Sequence, residues 1–331
     1  MGERDNDMKE HNNLCIWKTP VHKISGWEAC GNRIYMKRDD LLGFSFGGNK
    51  VRFAHAFFED LQKKNCDSMI IYGNYHSNLC RILSVLCKSA GLPCYMIYNI
   101  EDIEEEDESI NGKLILDMDV TPFPCKKSTI AQTVRKAMDE LKEKGYRPYY
   151  IYGNEFGAGN ELIPLQSYVN CYEEILSQAE EQGVALDYIV TAASTNATQS
   201  GLTIGSILHP DGPKVIGVSV NRKEERGIQV VQNNIRLYFE QKGQELPDQW
   251  EKNITFTDHF LNGGYGQYCP EIEETIKTMY RNNGIGLDPT YTGKGFWGML
   301  GYLKEQGIED KNVLFLHTGG TPLFFDYMRN R

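Results

Sequence analysis

Two observations predict an α/β fold with two sheets, each dominated by parallel strands and flanked by helices. Short β-rich apolar runs alternate with stretches of helical periodicity along the chain, and the alternation recurs in two successive halves. Glycine- and hydroxyl-rich loops stand after several of the strand runs and open the helices that follow, which is where an open parallel sheet presents its ligand crevice.

The first twelve residues are polar and read as a disordered lead. Residues 19–22 and 32–37 read as extended pieces about a turn. The stretch 37–50 begins with charges, passes through Gly47-Gly48-Asn49 and reaches Lys50; the residues after it carry no Gly or Pro and read as a helix to about residue 63. A strand at 68–72, a helix at 78–90 stopped by Gly91-Leu92-Pro93, and a strand at 94–98 follow. The acidic run 101–108 reads as a solvated loop or helix end. After it come a helix at 111–116, a strand at 119–123 and a helix at 129–144, with Glu140 and Lys144 in the favourable i, i+4 order. A strand at 149–152 and a glycine turn at 153–160 lead into a helix at 162–182. The second half offers strand 188–191, helix 197–208, strand 214–218, helix 228–242, strand 254–256, helices 270–283 and 296–305, strand 313–317 and a closing helix at 322–328.

Composition narrows the class. The 331 residues are 40% hydrophobic and 24% charged, ordinary for a globular chain, and the net charge of −10 argues against a nucleic-acid-binding surface. No stretch approaches the roughly 18 apolar residues of a membrane span. The acidic start, Met1 to Asp7, has no signal-peptide pattern, so a cytoplasmic protein is expected. The nine cysteines are odd in number with no Cys-x-x-Cys pair, which predicts reduced thiols and no zinc site.

Chemistry concentrates in a few loops. Gly47-Gly48 lets the backbone pass close to another segment or take positive φ. Lys50 then stands at a helix start, where the dipole disfavours an ammonium and a lowered pKa suits a Schiff-base lysine; a surface lysine after a glycine turn is the plainer alternative. In the loop 73–78, Ser77 and Asn78 occupy N-cap positions and could also bind a carboxylate or an aromatic oxygen. The loop 192–201 places hydroxyls and backbone N–H groups at a helix N-terminus with no Lys or Arg of its own, a pattern that suits a phosphate held by dipole and hydrogen bonds. Gly-x-Gly-x-x-Gly is absent, which excludes a dinucleotide fingerprint, and the loop 288–295 fails the spacing of a nucleotide P-loop. His317, in the loop 317–322, reads first as a packed structural residue, and Tyr265 stands on a glycine-flanked turn.

Asp39-Asp40, Gly47-Gly48-Asn49-Lys50, Ser77-Asn78 with Arg81, Gly264-Tyr265-Gly266, residues 287–294 and His317-Thr318-Gly319-Gly320, in this order, resemble the D-cysteine desulfhydrase and 1-aminocyclopropane-1-carboxylate deaminase family. The resemblance spans about residues 19–327. It implies the tryptophan-synthase-β-like fold (fold type II), a pyridoxal 5'-phosphate cofactor, a small amino-acid substrate and a homodimer. It also implies a large cofactor-binding domain of residues 1–52 and 160–331, with an inserted smaller domain, 53–159, closing over the site. Matched residue by residue, Lys50 corresponds to the lysine that links to the cofactor, preceded by Asn49. Asn78 corresponds to the partner of the cofactor's phenolic oxygen, and Ser77 to the residue beside the substrate carboxylate. Thr195, Asn196, Ala197 and Thr198 fall in the phosphate turn, Tyr265 and Tyr291 line the substrate side, and Thr292 and Thr318 lie toward the pyridine nitrogen.

Three positions distinguish this chain within the family. The cyclopropane deaminases carry a glutamate where Thr292 stands; a threonine hydroxyl leaves the ring a milder electron sink, which fits α-proton removal followed by loss of a β substituent. His76 replaces the family's usual glutamine, a change that bears on substrate charge or size. The phosphate turn lacks the usual glycines, so it must be rebuilt, or the phosphate held more by side chains. The implied activity is a lyase or deaminase, with D-cysteine as first substrate, Lys50 as base, and Ser77, His76, Tyr265 and Tyr291 around the amino acid. A deaminase or β-replacement enzyme for another β-substituted amino acid, and a non-catalytic cofactor-binding protein, remain as alternatives.

Overall fold

The structure is a computed structural model that describes residues 18–102, 109–329 and 331. The polar lead, Cys15 and residues 103–108 of the acidic run lie outside the described residues. The chain divides into two compact units: one takes in Gly43–Ser45 and Lys50–Ile163, the other Lys18–Leu42, Phe46–Asn49 and Pro164–Arg331.

The first unit is built on a four-stranded parallel sheet. Its strands are β3 (Ser68–Tyr72), β4 (Cys94–Asn99), β5 (Thr121–Cys125) and β6 (Pro148–Tyr150), in the order β5-β4-β3-β6. Met69, Ile70, Ile71, Met96 and Ile97 are buried on both faces of the central pair, the continuous apolar pattern that a covered parallel sheet requires. Among the described residues its α-helices are α1 (Asn49–Lys63), α2 (Asn78–Ser89), α3 (Ile110–Leu116) and α4 (Ile130–Glu143). β5 starts two residues later than its sequence pattern because Asp119 turns the chain at φ 53°. It carries Pro122 and Pro124 at no cost to the ladder, since it is an edge strand paired only with β4.

The second unit holds a six-stranded sheet. β1 (Val21–Lys23), β2 (Arg33–Arg38), β7 (Tyr188–Ala193), β8 (Lys214–Ser219), β9 (Thr255–Thr257) and β10 (Asn312–His317) run in the order β1-β2-β10-β7-β8-β9. Every pairing is parallel except β1 with β2. That exception leaves the sheet parallel-dominated, as expected: the short connection through residues 24–32 can close a hairpin but not a crossover. Its helices are α5 (Leu162–Glu181), which starts at the unit boundary, then α6 (Ala197–Leu208), α7 (Glu224–Lys242), α8 (Pro270–Asn283), α9 (Thr292–Glu305) and α10 (Thr321–Arg329). Ile34, Met36, Val190, Ile216, Phe296, Met299 and Phe315 belong to one buried cluster beneath α8 and α9.

The charged opening of the 37–50 stretch is internal. Lys37 Nζ donates to the Thr19 carbonyl at 2.7 Å, to Gln178 Oε1 at 2.7 Å and to the Glu174 carboxylate, tying β2 to α5. Asp39 accepts from Thr19 Oγ1 and Tyr168 OH, both at 2.7 Å. A buried charge is tolerated only when paired and bonded in this way. The backbone oxygen of Asp39 in turn accepts from Gly48 N at 2.8 Å, so the buried carboxylate sits on the frame that carries the glycine pair.

Candidate active site

Two glycine loops distant in sequence meet in the second unit. Gly48 has φ 103° and Gly319 φ 99°. A Cβ on Gly48 would lie 2.8 Å from the Thr318 oxygen, and one on Gly319 would lie 2.5 Å from Gly48 Cα. Neither position has room for a side chain, so both glycines are required by the approach itself. Asn49 joins the same junction: its N–H donates to Thr318 O at 3.0 Å, and its Nδ2 donates to Thr198 Oγ1 at 3.0 Å. Asn49, Thr198 and Thr318 are thereby brought together from three separate loops.

The 194–198 turn solves its shortage of glycine with asparagine. Asn196 takes the left-handed conformation at φ 71°, ψ 0°, which Asn tolerates better than other side chains, and its Nδ2 holds the Gly227 carbonyl at 3.0 Å. Asn196 makes no side-chain cap bond to α6, so the first N–H groups of that twelve-residue helix are left for another acceptor. Thr198 is buried, Ala197 is half-buried and Thr195 is exposed. The turn's own sequence contains no cation, but Arg222 reaches it from the segment after β8 and donates to Ser194 O at 2.5 Å. Spacing alone gave no sign of Arg222.

Asp288, quoted in the sequence only as part of a motif, organises the start of α9. Its carboxylate accepts from the N–H groups of Thr290, Tyr291 and Thr292 and from Thr292 Oγ1, at 2.7 to 3.0 Å. These bonds start the helix at Thr292, four residues earlier than its apolar periodicity indicates. The carboxylate is fully buried, and burial raises its pKa against the bonds that lower it. Thr292 Oγ1 also accepts from Asp288 N at 2.9 Å, so this hydroxyl is occupied on both sides and fully buried. Thr318 is half-buried, and its hydroxyl has no partner among the described residues. His317 Nδ1 accepts from Gly319 N at 3.1 Å while Nε2 faces Gly286 O at 3.0 Å. That pair of contacts requires the neutral Nε2–H tautomer and makes His317 a prop for the glycine loop.

Tyr265 and Tyr291 place their hydroxyls 2.5 Å apart. Burial raises both pKa values, and Tyr291 is held the higher of the two because Tyr265 adds to its shift while Tyr291 lowers that of Tyr265. Either hydroxyl of the pair can donate to the other, and Tyr265 is 47% exposed. The turn bearing Tyr265 is clamped from α9: Lys294 Nζ, fully buried, donates to Leu261 O at 2.9 Å and Gly264 O at 2.5 Å.

In the first unit, Lys50 lies in the opening turn of α1. Burial draws its ammonium down from 10.5 to about 8. Its Nζ stands 4.5 Å from the Phe53 ring centroid. Ser77 caps α2, its Oγ accepting from Cys80 N at 3.2 Å, which leaves the hydroxyl proton to donate elsewhere. Asn78 Oδ1 accepts from Arg81 Nη1 at 2.9 Å and from Asn111 Nδ2 at 3.0 Å. His76 is exposed, and its carbonyl accepts from Asn111 Nδ2 at 2.8 Å. Asn111 escaped sequence reasoning, because a single Asn in a helix carries no pattern, and Lys294 stands in the sequence only as the last residue of the 287–294 motif.

Residues 13–319 match the family described as "Pyridoxal-phosphate dependent enzyme". The chain belongs to this family. It is 33% identical over 316 residues to a D-cysteine desulfhydrase of Yersinia pestis, covering 93% of each chain. It is 30% identical over 320 residues to a Pyrococcus furiosus protein provisionally named as a 1-aminocyclopropane-1-carboxylate deaminase, covering 95% of this chain and 93% of that one. The crystal structure of an ACC deaminase homologue superimposes with a TM-score of 0.81 at 28% identity, covering 100% of this chain and 98% of the other. This pyridoxal-phosphate-dependent enzyme therefore stands in the group of deaminases and desulfhydrases that act on small amino acids, with the fold type expected of it. No helix among the described residues is long and apolar enough to cross a membrane.

The donor set fits the cofactor. A lysine held near 8 exposes a reactive amine at neutral pH, the uncapped N-terminus of α6 suits a phosphate, and the unpartnered Thr318 hydroxyl suits a ring nitrogen. The oxygen of Asn78 is already occupied, so its amide can offer only N–H donors, as an aromatic oxygenate needs.

Proposed function

We propose that this enzyme is a lyase that removes the α-proton and a β substituent from a small amino acid, with D-cysteine as the first substrate: D-cysteine and water yield pyruvate, ammonia and sulfide. The observation that carries this reading is the state of Thr292. It stands where the cyclopropane deaminases have a glutamate, and its hydroxyl is closed into a pair with Asp288. A ring nitrogen served by a hydroxyl such as that of Thr318 stays a weaker base than one paired with a carboxylate, which suits elimination better than opening of a strained ring.

Pyridoxal phosphate, when bound, supplies the electron sink for the substrate's α-carbon. Lys50 anchors the cofactor and then takes the α-proton at Nζ; with a pKa of about 8, roughly a quarter of such an amine is uncharged at pH 7.5. Asn78 Nδ2 donates to the phenolic oxygen. Asn49, Thr195, Asn196, Ala197 and Thr198 shape the phosphate seat, where the N–H groups of α6 do the holding. Ser77 Oγ and the backbone at His76 orient the substrate carboxylate. The Tyr265 and Tyr291 hydroxyls share one hydrogen bond, and the more exposed Tyr265 hydroxyl hands a proton to the leaving group. A cytoplasmic homodimer belongs to the same reading, and sedimentation of the purified protein checks the dimer.

A panel of D- and L-amino acids, read by absorbance of the bound cofactor and by sulfide and oxo-acid release, tests the proposal. D-cysteine should change the spectrum and release both products, and a Lys50→Ala protein should lose at least about 10³-fold in rate. Product formation only in the presence of a second nucleophile would point to β-replacement. Full turnover by Lys50→Ala would sink the assignment.

A further inference from the structure

Asn111 joins Asn78, Arg81 and the His76 carbonyl in one set of hydrogen bonds. Arg81 Nη1 donates to Asn78 Oδ1 at 2.9 Å and to Asn111 Oδ1 at 2.8 Å. Asn111 Nδ2 donates to Asn78 Oδ1 at 3.0 Å and to His76 O at 2.8 Å. Asn111 is fully buried and Arg81 is 1% exposed. Burial lowers the Arg81 pKa only to about 10, so its charge persists at neutral pH.

A guanidinium can only donate, so the two amide atoms facing Nη1 must both be oxygens. With its oxygen on Arg81, Asn111 has its NH2 committed to Asn78 Oδ1 and His76 O. Asn78 Oδ1 then holds two donors, one of them charged, and the amide cannot turn over without setting donor against donor. Its Nδ2 is forced to the opposite side, where it meets no acceptor among the described residues. The charge-assisted bond from Arg81 also polarises the Asn78 amide and strengthens its N–H groups as donors.

We propose that Asn111 is a positioning residue: anchored by Arg81, it locks the Asn78 amide with its NH2 toward the cofactor's phenolic oxygen and fixes the turn at His76 and Ser77. The inference rests on the reading that Asn78 serves that oxygen. Without a fixed donor, the phenolic oxygen recaptures its proton. The visible band of the bound cofactor then loses intensity to the near-ultraviolet band of the phenol form.

The test compares absorbance spectra across pH for the cofactor-loaded wild type, Asn111→Leu, Asn78→Ala and the double variant. Asn111→Leu should shift the ratio of the two bands by about tenfold, as a bond to a charged group does. Asn78→Ala should shift it at least as far. The double variant should match Asn78→Ala alone, because a residue that acts through Asn78 has nothing left to position. Asn111→Asp, which keeps the bond from Arg81 but sets an oxygen against Asn78 Oδ1, gives the same reading should the leucine variant fail to fold. A band that Asn78→Ala shifts and the Asn111 variants leave alone, or effects that add in the double variant, overturn the inference. A wild type with no visible band removes the cofactor reading beneath it, an outcome distinct from those two.

Discussion

Replacing Lys50 by Met in the cofactor-free protein should stabilise it at neutral pH and flatten its pH dependence. Burial takes the Lys50 ammonium from 10.5 to about 8, a difference of about 2.5 units, or on the order of 3 kcal/mol at about 1.36 kcal/mol per unit. Lys50 as a residue is only half-buried and its ammonium lies near the Phe53 ring, so solvent and ring both reduce the penalty, to about 1–3 kcal/mol. Below pH 8 the amine is charged in folded and unfolded chains alike, and the folded state carries the whole penalty. Between pH 8 and 10.5 the folded amine is neutral while the unfolded one keeps its proton, so wild-type stability climbs with pH through that window and levels off above it. Thermal and urea melts of both proteins at pH 7 and pH 9.5 read this directly. The advantage of Lys50→Met should be full at pH 7 and fall below half at pH 9.5. The change with pH isolates the charge from any gain in apolar packing. An advantage that stays constant with pH, or a variant less stable than wild type at pH 7, would refute the reasoning.

Gly48→Ala should lose cofactor affinity and cost about 1–3 kcal/mol, because its Cβ meets the Thr318 oxygen at 2.8 Å in a strained backbone region; melting temperature and cofactor retention on dialysis check both. Asn196→Ala should cost on the order of 1–2 kcal/mol through its left-handed φ and weaken cofactor retention, and Asn196→Gly should restore much of the loss. Tyr291→Phe should raise the pKa of Tyr265 by removing its hydrogen-bond partner, whereas Tyr265→Phe should lower that of Tyr291; NMR of ring-labelled tyrosine resolves the two. Lys294→Met leaves two carbonyls at the Tyr265 turn without their donor and should cost about 1–3 kcal/mol, with faster proteolysis at residues 261–266 as the readout.

Much of this architecture is legible in the chain because strand runs such as 68–72 and 94–98 are bounded by turn residues, and covered parallel strands need unbroken apolar sequence. The glycine loops are legible in part, since Gly47-Gly48 announces a close approach and Gly319-Gly320 stands in the motif that carries the resemblance. What no local pattern revealed is that the two pairs approach each other. That Lys37 and Asp39 are buried is not legible locally, because burial of an ion depends on partners such as Glu174, Gln178 and Tyr168, more than a hundred residues away along the chain. The phosphate turn without glycine is explained by Asn196, whose tolerance of positive φ composition does not display. Arg222 and Asn111 were invisible for a related reason: each acts through one contact made across the fold.

The junction of Gly48 with Gly319 has a consequence for synthesis. β10, which ends at His317 and leads straight into that junction, leaves the ribosome after the other five strands of its sheet, yet it lies between β2 and β7 inside that sheet. The early strands must wait for it, and until it inserts, Asn49 lacks the Thr318 carbonyl that fixes its backbone. The junction of Gly48 with Gly319 therefore forms only after β10 has emerged, and a chain cut short before β10 would hold Asn49 and Lys50 in its sequence without the loop that braces them.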